Sequence, residues 1–275
     1  MTAKLRIGVT ALSCVLWSCL MCTFVVFLTG CASNALSTSM NSDLVTDSDE
    51  PETRKRARLR LELAVAYFDK GQTTDALDHL KQSILADPNL FEAYNLRGLI
   101  YMRLNDVPLA EESFRRALAI NPKSASVQHN YGWLLCQQAR LPEAVQLFGS
   151  ALANPNYGDR AKTWMTQGLC QQKYAQHADA EASFLRSYEL DAGNPITAYN
   201  LSLLLYQRAD FVRAQFYVRR LNNSELANAE SLWLGIKVER RLDNREATLQ
   251  LGAQLKKRFP QSREYLALER GAFNE

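Results

Sequence analysis

The sequence predicts an all-α fold, and two observations lead to that prediction. A pattern of small and large residues recurs about every 34 residues over most of the chain, which is the length of one helical-hairpin repeat. The strict alternation of apolar and polar residues that indicates strands is scarce. With 47% hydrophobic and 22% charged residues, the 275-residue chain has the composition of a folded protein with a sizeable core.

The clearest repeat runs from Phe91 to Ser124. Gly98 and Ala110 are small because two antiparallel helices must cross closely there, and Tyr101 and Phe114 fill the space beside the crossing. Counted from Phe91, the signature residues are Tyr94 at position 4, Gly98 at 8, Tyr101 at 11, Ala110 at 20, Phe114 at 24, Ala117 at 27 and Pro122 at 32. This pattern resembles the signature of the tetratricopeptide repeat.

Six such repeats follow one another along the chain. Their frames are 57–90, 91–124, 125–158, 161–194, 195–228 and 228–261, with a two-residue insertion after the third. Six matches at one pitch favour a repeat array over a helical bundle with accidental matches. The resemblance implies a right-handed superhelix whose concave inner face is lined by the first helix of each repeat. Residues 262–270 are predicted to form a C-terminal capping helix.

The first thirty residues have the features of an export signal. Lys4 and Arg6 precede a 22-residue uncharged stretch, 7–28, and the sequence Leu-Thr-Gly-Cys follows, ending at Cys31. That ending resembles a bacterial lipobox, and the resemblance implies that residues 1–30 are removed and that Cys31 carries lipid. Ala32 rather than Asp at the next position favours the outer membrane. The alternative is an uncleaved transmembrane anchor, since the uncharged stretch is long enough to span a bilayer.

Residues 31–53 are predicted to be a lipidated flexible tether, and residues 54–275 to be the repeat domain. The tether is rich in Ser, Thr, Asn and Asp and contains few large apolar residues. The chain has a net charge of +3, but Lys4 and Arg6 belong to the predicted leader, so 30 basic and 29 acidic residues remain. This balance gives no electrostatic reason to expect a nucleic-acid partner.

A partner-binding groove is predicted on the inner face, through positions 2, 5, 9 and 12 of each first helix. Its residues mix aliphatic, aromatic, methionine and amide side chains, and such surfaces commonly bind a helix or an extended segment of another protein. The alternative is that a tight superhelix buries much of this stripe against itself. The predicted groove residues are Leu61, Val65, Phe68, Asn95, Leu99, Met102, His129, Trp133, Met165, Leu169, Tyr199, Leu203 and Tyr206.

Two cysteines of the repeat domain, Cys136 and Cys170, occupy similar heights on neighbouring first helices. Because an exported compartment is oxidising, we predict a disulfide between them. The alternative is two separate buried thiols, which are common in helical cores.

The sequence offers no site for catalysis, and we expect no enzyme, no cofactor and no metal. Its three histidines, His79, His129 and His177, do not combine with Cys, Asp or Glu at the spacing of metal ligands. Neither a phosphate-binding loop nor a nucleophile elbow is present. His129 is interpreted as a polar contact on the inner face rather than as a general base.

Three segments resemble a particular family. They are Asn130–Cys136, Asn154–Tyr157 followed by Gly168–Cys170, and Leu232–Lys237 with Lys257–Ser262. Together they are similar to the type IV pilus biogenesis and stability lipoproteins of the PilF/PilW, or pilotin, family. The pair Trp133-Leu134 departs from the family pattern, which affects only local detail of the groove.

The resemblance implies a non-enzymatic scaffold that helps the pilus secretin reach the outer membrane and multimerise, or that stabilises the fibre. The expected partners are the secretin and, through lipid, the periplasmic face of the outer membrane, with the protein acting as a monomer. Two alternatives remain: a general envelope scaffold, such as an adaptor for murein hydrolases or outer-membrane assembly, and an enzyme whose site is not visible in sequence.

Overall fold

A computed structural model describes residues 49–273. The predicted leader, the predicted lipid attachment residue Cys31 and most of the predicted tether lie outside the described residues. Within 49–273 there are thirteen helices and no strands, and none of these helices is long and apolar enough to cross a membrane. The helices are α1 Glu52–Asp69, α2 Thr73–Ala86, α3 Phe91–Arg103, α4 Val107–Ile120, α5 Ala125–Gln137, α6 Leu141–Leu152, α7 Arg160–Lys173, α8 His177–Leu190, α9 Pro195–Gln207, α10 Phe211–Asn222, α11 Ala229–Arg241, α12 Arg245–Arg258 and α13 Arg263–Arg270.

The first twelve helices form six antiparallel hairpins, as the repeat pattern predicts. Each first helix contacts its own second helix and the first helix of the next repeat, so α1, α3, α5, α7, α9 and α11 lie side by side. In the next repeat each second helix contacts only the first helix. Within the described part of the chain no two second helices contact each other. The first helices therefore line the inner face of a tetratricopeptide superhelix.

Helices lie at both ends of the array. Helix α1 begins at Glu52, two residues inside the predicted tether 31–53. At the other end α13 packs against α11 and α12, as expected of a capping helix. The Ser262 side chain caps α13 by accepting a hydrogen bond from the Tyr265 amide at 3.1 Å.

The turn inside each hairpin contains one residue with left-handed backbone geometry. In the first five repeats it falls at position 15 of the predicted frame, at Gly71, Asn105, Ala139, Ala175 and Ala209. In the sixth repeat it is Asp243, and the capping residue Asn228 immediately precedes α11. The left-handed turn residue Asp243 and the cap Asn228 therefore both place the sixth repeat at 229–262, one residue later than the predicted frame 228–261.

A close approach between a small residue on the first helix and a large one on the second defines each crossing. A Cβ added at Gly98 would lie 2.6 Å from the nearest atom of the Phe114 ring. The corresponding distances are 2.9 Å from Gly132 to Phe148 and 2.8 Å from Gly168 to Phe184. The three rings are fully buried. The glycine and phenylalanine are replaced by Ala64 and Leu80 in the first repeat, and by Ser202 and Val218 in the fifth. In both pairs the residue on the first helix is larger than glycine and the residue on the second helix is smaller than phenylalanine.

A covalent and polar seam joins the third repeat to the fourth. The Cys136–Cys170 disulfide is fully buried and links α5 to α7, with the two Cα atoms 5.9 Å apart. About two turns earlier on α5, His129 Nδ1 lies 2.8 Å from Thr163 Oγ1, and the His129 ring packs against Phe148 with centroids 6.0 Å apart. Burial, together with Lys162 nearby, lowers the pKa of His129 to about 4.

We predict that Gly98→Ala costs about 1–3 kcal/mol of unfolding free energy, because the added methyl group overlaps the Phe114 ring. Phe114→Leu alone should also destabilise the protein, since it leaves a cavity. The double variant recreates the Ala–Leu pair of the first repeat and should recover part of the loss. Urea unfolding of the four proteins checks this, and purely additive costs would contradict the proposed steric pairing.

The disulfide should persist in natively purified protein, so peptide mapping without reductant is expected to recover Cys136 and Cys170 in one linked species. Replacing both cysteines with Ala should lower the unfolding free energy by about 2–4 kcal/mol, because the cross-link restricts the unfolded chain. Wild-type protein unfolded in the presence of a reductant is the matched control. Two free thiols at these positions would contradict the prediction.

His129 should make stability depend on pH. Its folded pKa of about 4 lies below the unfolded value of 6.5, so the unfolded chain binds the extra proton. The contribution of neutral His129 is complete above pH 6.5 and declines as the pH falls towards 4. Relative to His129→Gln, wild-type protein should lose about 2–3 kcal/mol between pH 7 and pH 4 in urea unfolding. Parallel pH profiles for the two proteins would contradict this.

Candidate functional site

The inner face carries the predicted groove residues as a partly open stripe. Among the thirteen predicted residues, Val65 is exposed, His129 is buried, and the rest are intermediate: Leu61, Phe68, Asn95, Leu99, Met102, Trp133, Met165, Leu169, Tyr199, Leu203 and Tyr206. Apart from His129, each of these side chains therefore keeps part of its surface available while the remainder is covered by neighbouring residues. The stripe is thus neither sealed inside the superhelix nor fully exposed to water.

His129 is the one predicted groove residue that is not available on the inner face. Its ring is 6% exposed and belongs to the seam with Thr163. A histidine at position 5 of a first helix can point into the groove or into the next repeat, and here the Thr163 hydroxyl supplies a polar partner in the next repeat. His129 is therefore a satisfied core histidine.

At the N-terminal end of the stripe an arginine covers part of the apolar surface. The Arg103 guanidinium lies 3.6 Å from the centroid of the Phe68 ring, and it donates a 2.6 Å hydrogen bond to the Phe68 carbonyl oxygen. This cation–π contact shields one face of Phe68. Val65 lies one turn and Leu61 two turns before Phe68 on α1, so apolar surface continues along that helix.

The middle of the stripe combines amide groups with apolar side chains. Asn130 Nδ2 donates a 3.0 Å hydrogen bond to Asn95 Oδ1, which joins α5 to α3 on the inner side. Leu99, Met102 and Trp133 pack against the core of the second and third repeats. The two amides retain donor and acceptor capacity towards a bound chain, because each makes only part of its possible hydrogen bonds.

The C-terminal part of the stripe is the most aromatic. One core cluster of the fourth to sixth repeats is surrounded by Met165, Leu169, Tyr199, Leu203 and Tyr206. Burial, followed by the nearby charges of Glu230 and Glu264, raises the pKa of Tyr199, so its hydroxyl stays protonated at neutral pH.

The stripe continues into the sixth repeat through Lys237, which the sequence analysis missed. In the frame beginning at Ala229, Trp233 occupies position 5 and Lys237 position 9, the groove positions of the other repeats. Lys237 is partly exposed, whereas Trp233 is buried and stacks on Phe273 with ring centroids 5.3 Å apart. The frame beginning at 228 puts Leu232 and Ile236 there instead, and both are fully buried. The signal that could have corrected the frame is Pro260, which falls at position 32 only when counting starts at Ala229.

Among residues 49–273 no group of three or more His, Cys, Asp or Glu side chains is placed to hold a metal ion. Outside the seam, His79 stacks on Tyr67 with ring centroids 5.0 Å apart, and His177 is exposed at the start of α8. The groove supplies apolar area, amides and one lysine, which suits recognition of a polypeptide segment.

Comparison with known proteins identifies relatives along nearly the whole chain. A tetratricopeptide-repeat family model matches residues 61–125. The type IV pilus assembly protein PilF of Pseudomonas aeruginosa is 30% identical over 240 residues, which covers 87% of this chain and 92% of that protein.

Solved structures agree with the sequence relationship. A structure of Pseudomonas aeruginosa PilF superposes with a TM-score of 0.72 and 28% identity, covering 80% of this chain and all of that one. The structure of PilW, described as a widely conserved type IV pilus biogenesis factor, gives a TM-score of 0.68 and 30% identity over 77% of this chain and 97% of its own. The chain therefore belongs to the PilF/PilW family of tetratricopeptide-repeat proteins of type IV pili.

Proposed function

We propose that this protein is a non-enzymatic scaffold of type IV pilus biogenesis. Its inner groove holds a segment of the pilus secretin, and lipid on Cys31 keeps it at the periplasmic face of the outer membrane. In this role it helps the secretin reach that membrane and multimerise, and it also contributes to fibre stability. One chain binds the secretin segment and carries the membrane anchor, so the secretin is brought to the outer membrane together with the protein.

The observation that carries the proposal is the partly open inner stripe. A monomeric protein seldom leaves a continuous apolar stripe half-covered along one face unless a partner occupies it. Trp133, Tyr199 and Tyr206 are residue types that contribute most to binding when a partner excludes water around them. The family relationship supplies the cellular setting, since PilF and PilW are proteins of type IV pilus assembly and biogenesis.

The rigidity of the array supports binding without rearrangement. The first helices are fixed by the small-to-large crossings and, between the third and fourth repeats, by the disulfide. A preformed groove loses little conformational entropy when a segment docks, and this favours affinity for a segment that is itself extended or helical.

The proposal predicts that secretin assembly depends on both the anchor and the groove. In the native host, Cys31→Ala removes the lipid site, and Ala32→Asp tests whether the residue after it sets the membrane. Unheated membrane fractions run on a gel report the secretin multimer. We expect the multimer to be lost or to remain in the inner membrane in both variants, while each protein persists.

Leu99→Gln tests the groove by co-purification of the secretin from the native host, alongside the multimer gel. Leu85→Gln is the matched control, because Leu85 is 73% exposed on a second helix. Leu99→Gln should reduce secretin co-purification several-fold, and the control should not. Thermal unfolding verifies that both variants fold. A normal multimer with lost surface pili would restrict the role to fibre stability, whereas normal multimer and normal pili would refute the pilus assignment and favour a general envelope scaffold.

A further inference from the structure

One side of α1 is uncovered, although the corresponding side of every later first helix is buried. In repeats two to six the second helix of the preceding hairpin packs there, whereas among the described helices only α2 and α3 contact α1. At position 3 of the frame Leu59 is 60% exposed, and at position 10 Ala66 is also exposed. The later residues at these two positions are all buried: Ala93, Val127, Thr163, Thr197 and Ser231 at position 3, and Ile100, Leu134, Cys170, Leu204 and Val238 at position 10.

Leucines and cations share this uncovered side, which we call the N-terminal stripe. Its members lie three or four residues apart and therefore fall on one face of the helix. All are exposed, and the stripe contains no carboxylate, although Glu62 lies on its flank. The stripe consists of Arg56, Leu59, Arg60, Leu63, Ala66 and the C-cap residue Lys70.

The cations of the first repeat's entry differ in pairing according to the side of α1 on which they lie. Away from the stripe each has a carboxylate partner: Arg54 with Asp87 at 3.4 Å, Lys55 with Glu52 at 2.9 Å and Arg58 with Glu50 at 3.0 Å. On the stripe, the side chains of Arg56 and Lys70 make no ion pair or hydrogen bond with any residue of the described part of the chain.

The third cation of the stripe, Arg60, has a neutral neighbour only. Its Nη1 lies 3.4 Å from His79 Nδ1, and no carboxylate among residues 49–273 pairs with it. The unbalanced positive charge of α1 is therefore located beside its two exposed leucines, Leu59 and Leu63.

We propose that the N-terminal stripe docks on an anionic phospholipid surface. Leu59 and Leu63 enter the headgroup region, and Arg56, Arg60 and Lys70 lie against lipid phosphates. Helices that carry leucines together with basic residues bind in the plane of a membrane interface, and anionic lipids strengthen that binding through each basic residue near the surface.

The position of the stripe in the chain favours a bilayer over a protein as its occupant. Helix α1 begins 21 residues after Cys31, so lipid on Cys31 would hold the stripe within about 70 Å of the membrane even with the intervening chain extended. A second copy of this chain, docked symmetrically, would oppose the same three unpaired cations and be repelled.

This inference rests on the proposed function for the lipid on Cys31 and adds an orientation to it. The stripe lies where a preceding repeat would pack, so docking stands the array on its first repeat and directs the later repeats away from the bilayer. Lipid alone would leave the array free to turn at the end of its tether.

The test uses the mature full-length protein on vesicles, with an environment-sensitive nitrobenzoxadiazole label on one added cysteine. Cys136 and Cys170 are joined, and Cys31 carries lipid in the proposed function, so Ala66→Cys introduces one free thiol on the stripe. Phosphatidylcholine vesicles with and without phosphatidylglycerol provide the anionic and the neutral surface. We expect emission from position 66 to rise several-fold and shift to the blue on anionic vesicles only. A label introduced by Leu249→Cys, 74% exposed on α12, should remain aqueous on both.

Charge substitutions then test the cations of the stripe. Arg56→Gln and Arg60→Gln should each lower the docked-to-undocked ratio about fivefold, the effect of one basic residue near an anionic surface. Arg58→Gln removes the same charge from the opposite side of α1 and should leave the ratio nearly unchanged. An aqueous label at position 66 on both vesicle types, equal emission on both, or equal losses in Arg58→Gln and Arg56→Gln would overturn the proposal.

The outcome can be separated from that of the proposed function, because the intact mass of the same protein reports the lipid on Cys31. Lipid on Cys31 with an aqueous label at position 66 overturns this inference and leaves the scaffold proposal standing. Absence of lipid contradicts the proposed anchor, and the label still reports whether added vesicles bind the stripe. Stripe variants that lose secretin co-purification with an unchanged label signal would assign this face to a protein partner and overturn the inference.

Discussion

The close approach of a small residue to a large one inside each hairpin is the constraint on which the rest of this structure depends. Gly98, Gly132 and Gly168 let the second helix come so near that a phenylalanine ring occupies the place where a Cβ would be. This fixes the spacing and angle within each hairpin, and stacking repeats the geometry along the array. Because the first helices are set in this way, their groove positions line up as a stripe rather than scattering around the superhelix.

The hairpin pattern, and with it most of the fold, could be predicted from the sequence because the constraint leaves a visible trace. A glycine and a phenylalanine sixteen residues apart can be read directly, and so can the proline that ends a repeat. The degree of burial of an individual groove residue could not be read in the same way. His129 and Trp133 occupy neighbouring inner positions, yet only His129 finds a partner in the next repeat, and that depends on the Thr163 hydroxyl across the seam.

The sixth repeat shows where reading by signature residues fails. Gly235 still faces Leu251, since a Cβ added at Gly235 would lie 3.2 Å from Leu251 Cδ1, and this pair supports a frame beginning at 228. The turn residue Asp243 and the cap Asn228 follow a frame one residue later. A helix of 3.6 residues per turn rotates by about 100° for each residue, so one step exchanges a buried position for a groove position. The groove position of Lys237 was missed for that reason.

The central disulfide has a mechanical consequence. It joins α5 to α7, so it lies between the N-terminal end of the array, which follows the predicted lipid attachment residue Cys31 in the chain, and the C-terminal end. A pull applied across these two ends runs through the sulfur–sulfur bond and bypasses the residues between Cys136 and Cys170, which are separated by 34 positions in sequence. At about 3.5 Å for each extended residue, the disulfide prevents roughly 120 Å of chain from being extended. An oxidised array under tension would therefore yield at its outer repeats while the middle of the groove kept its shape.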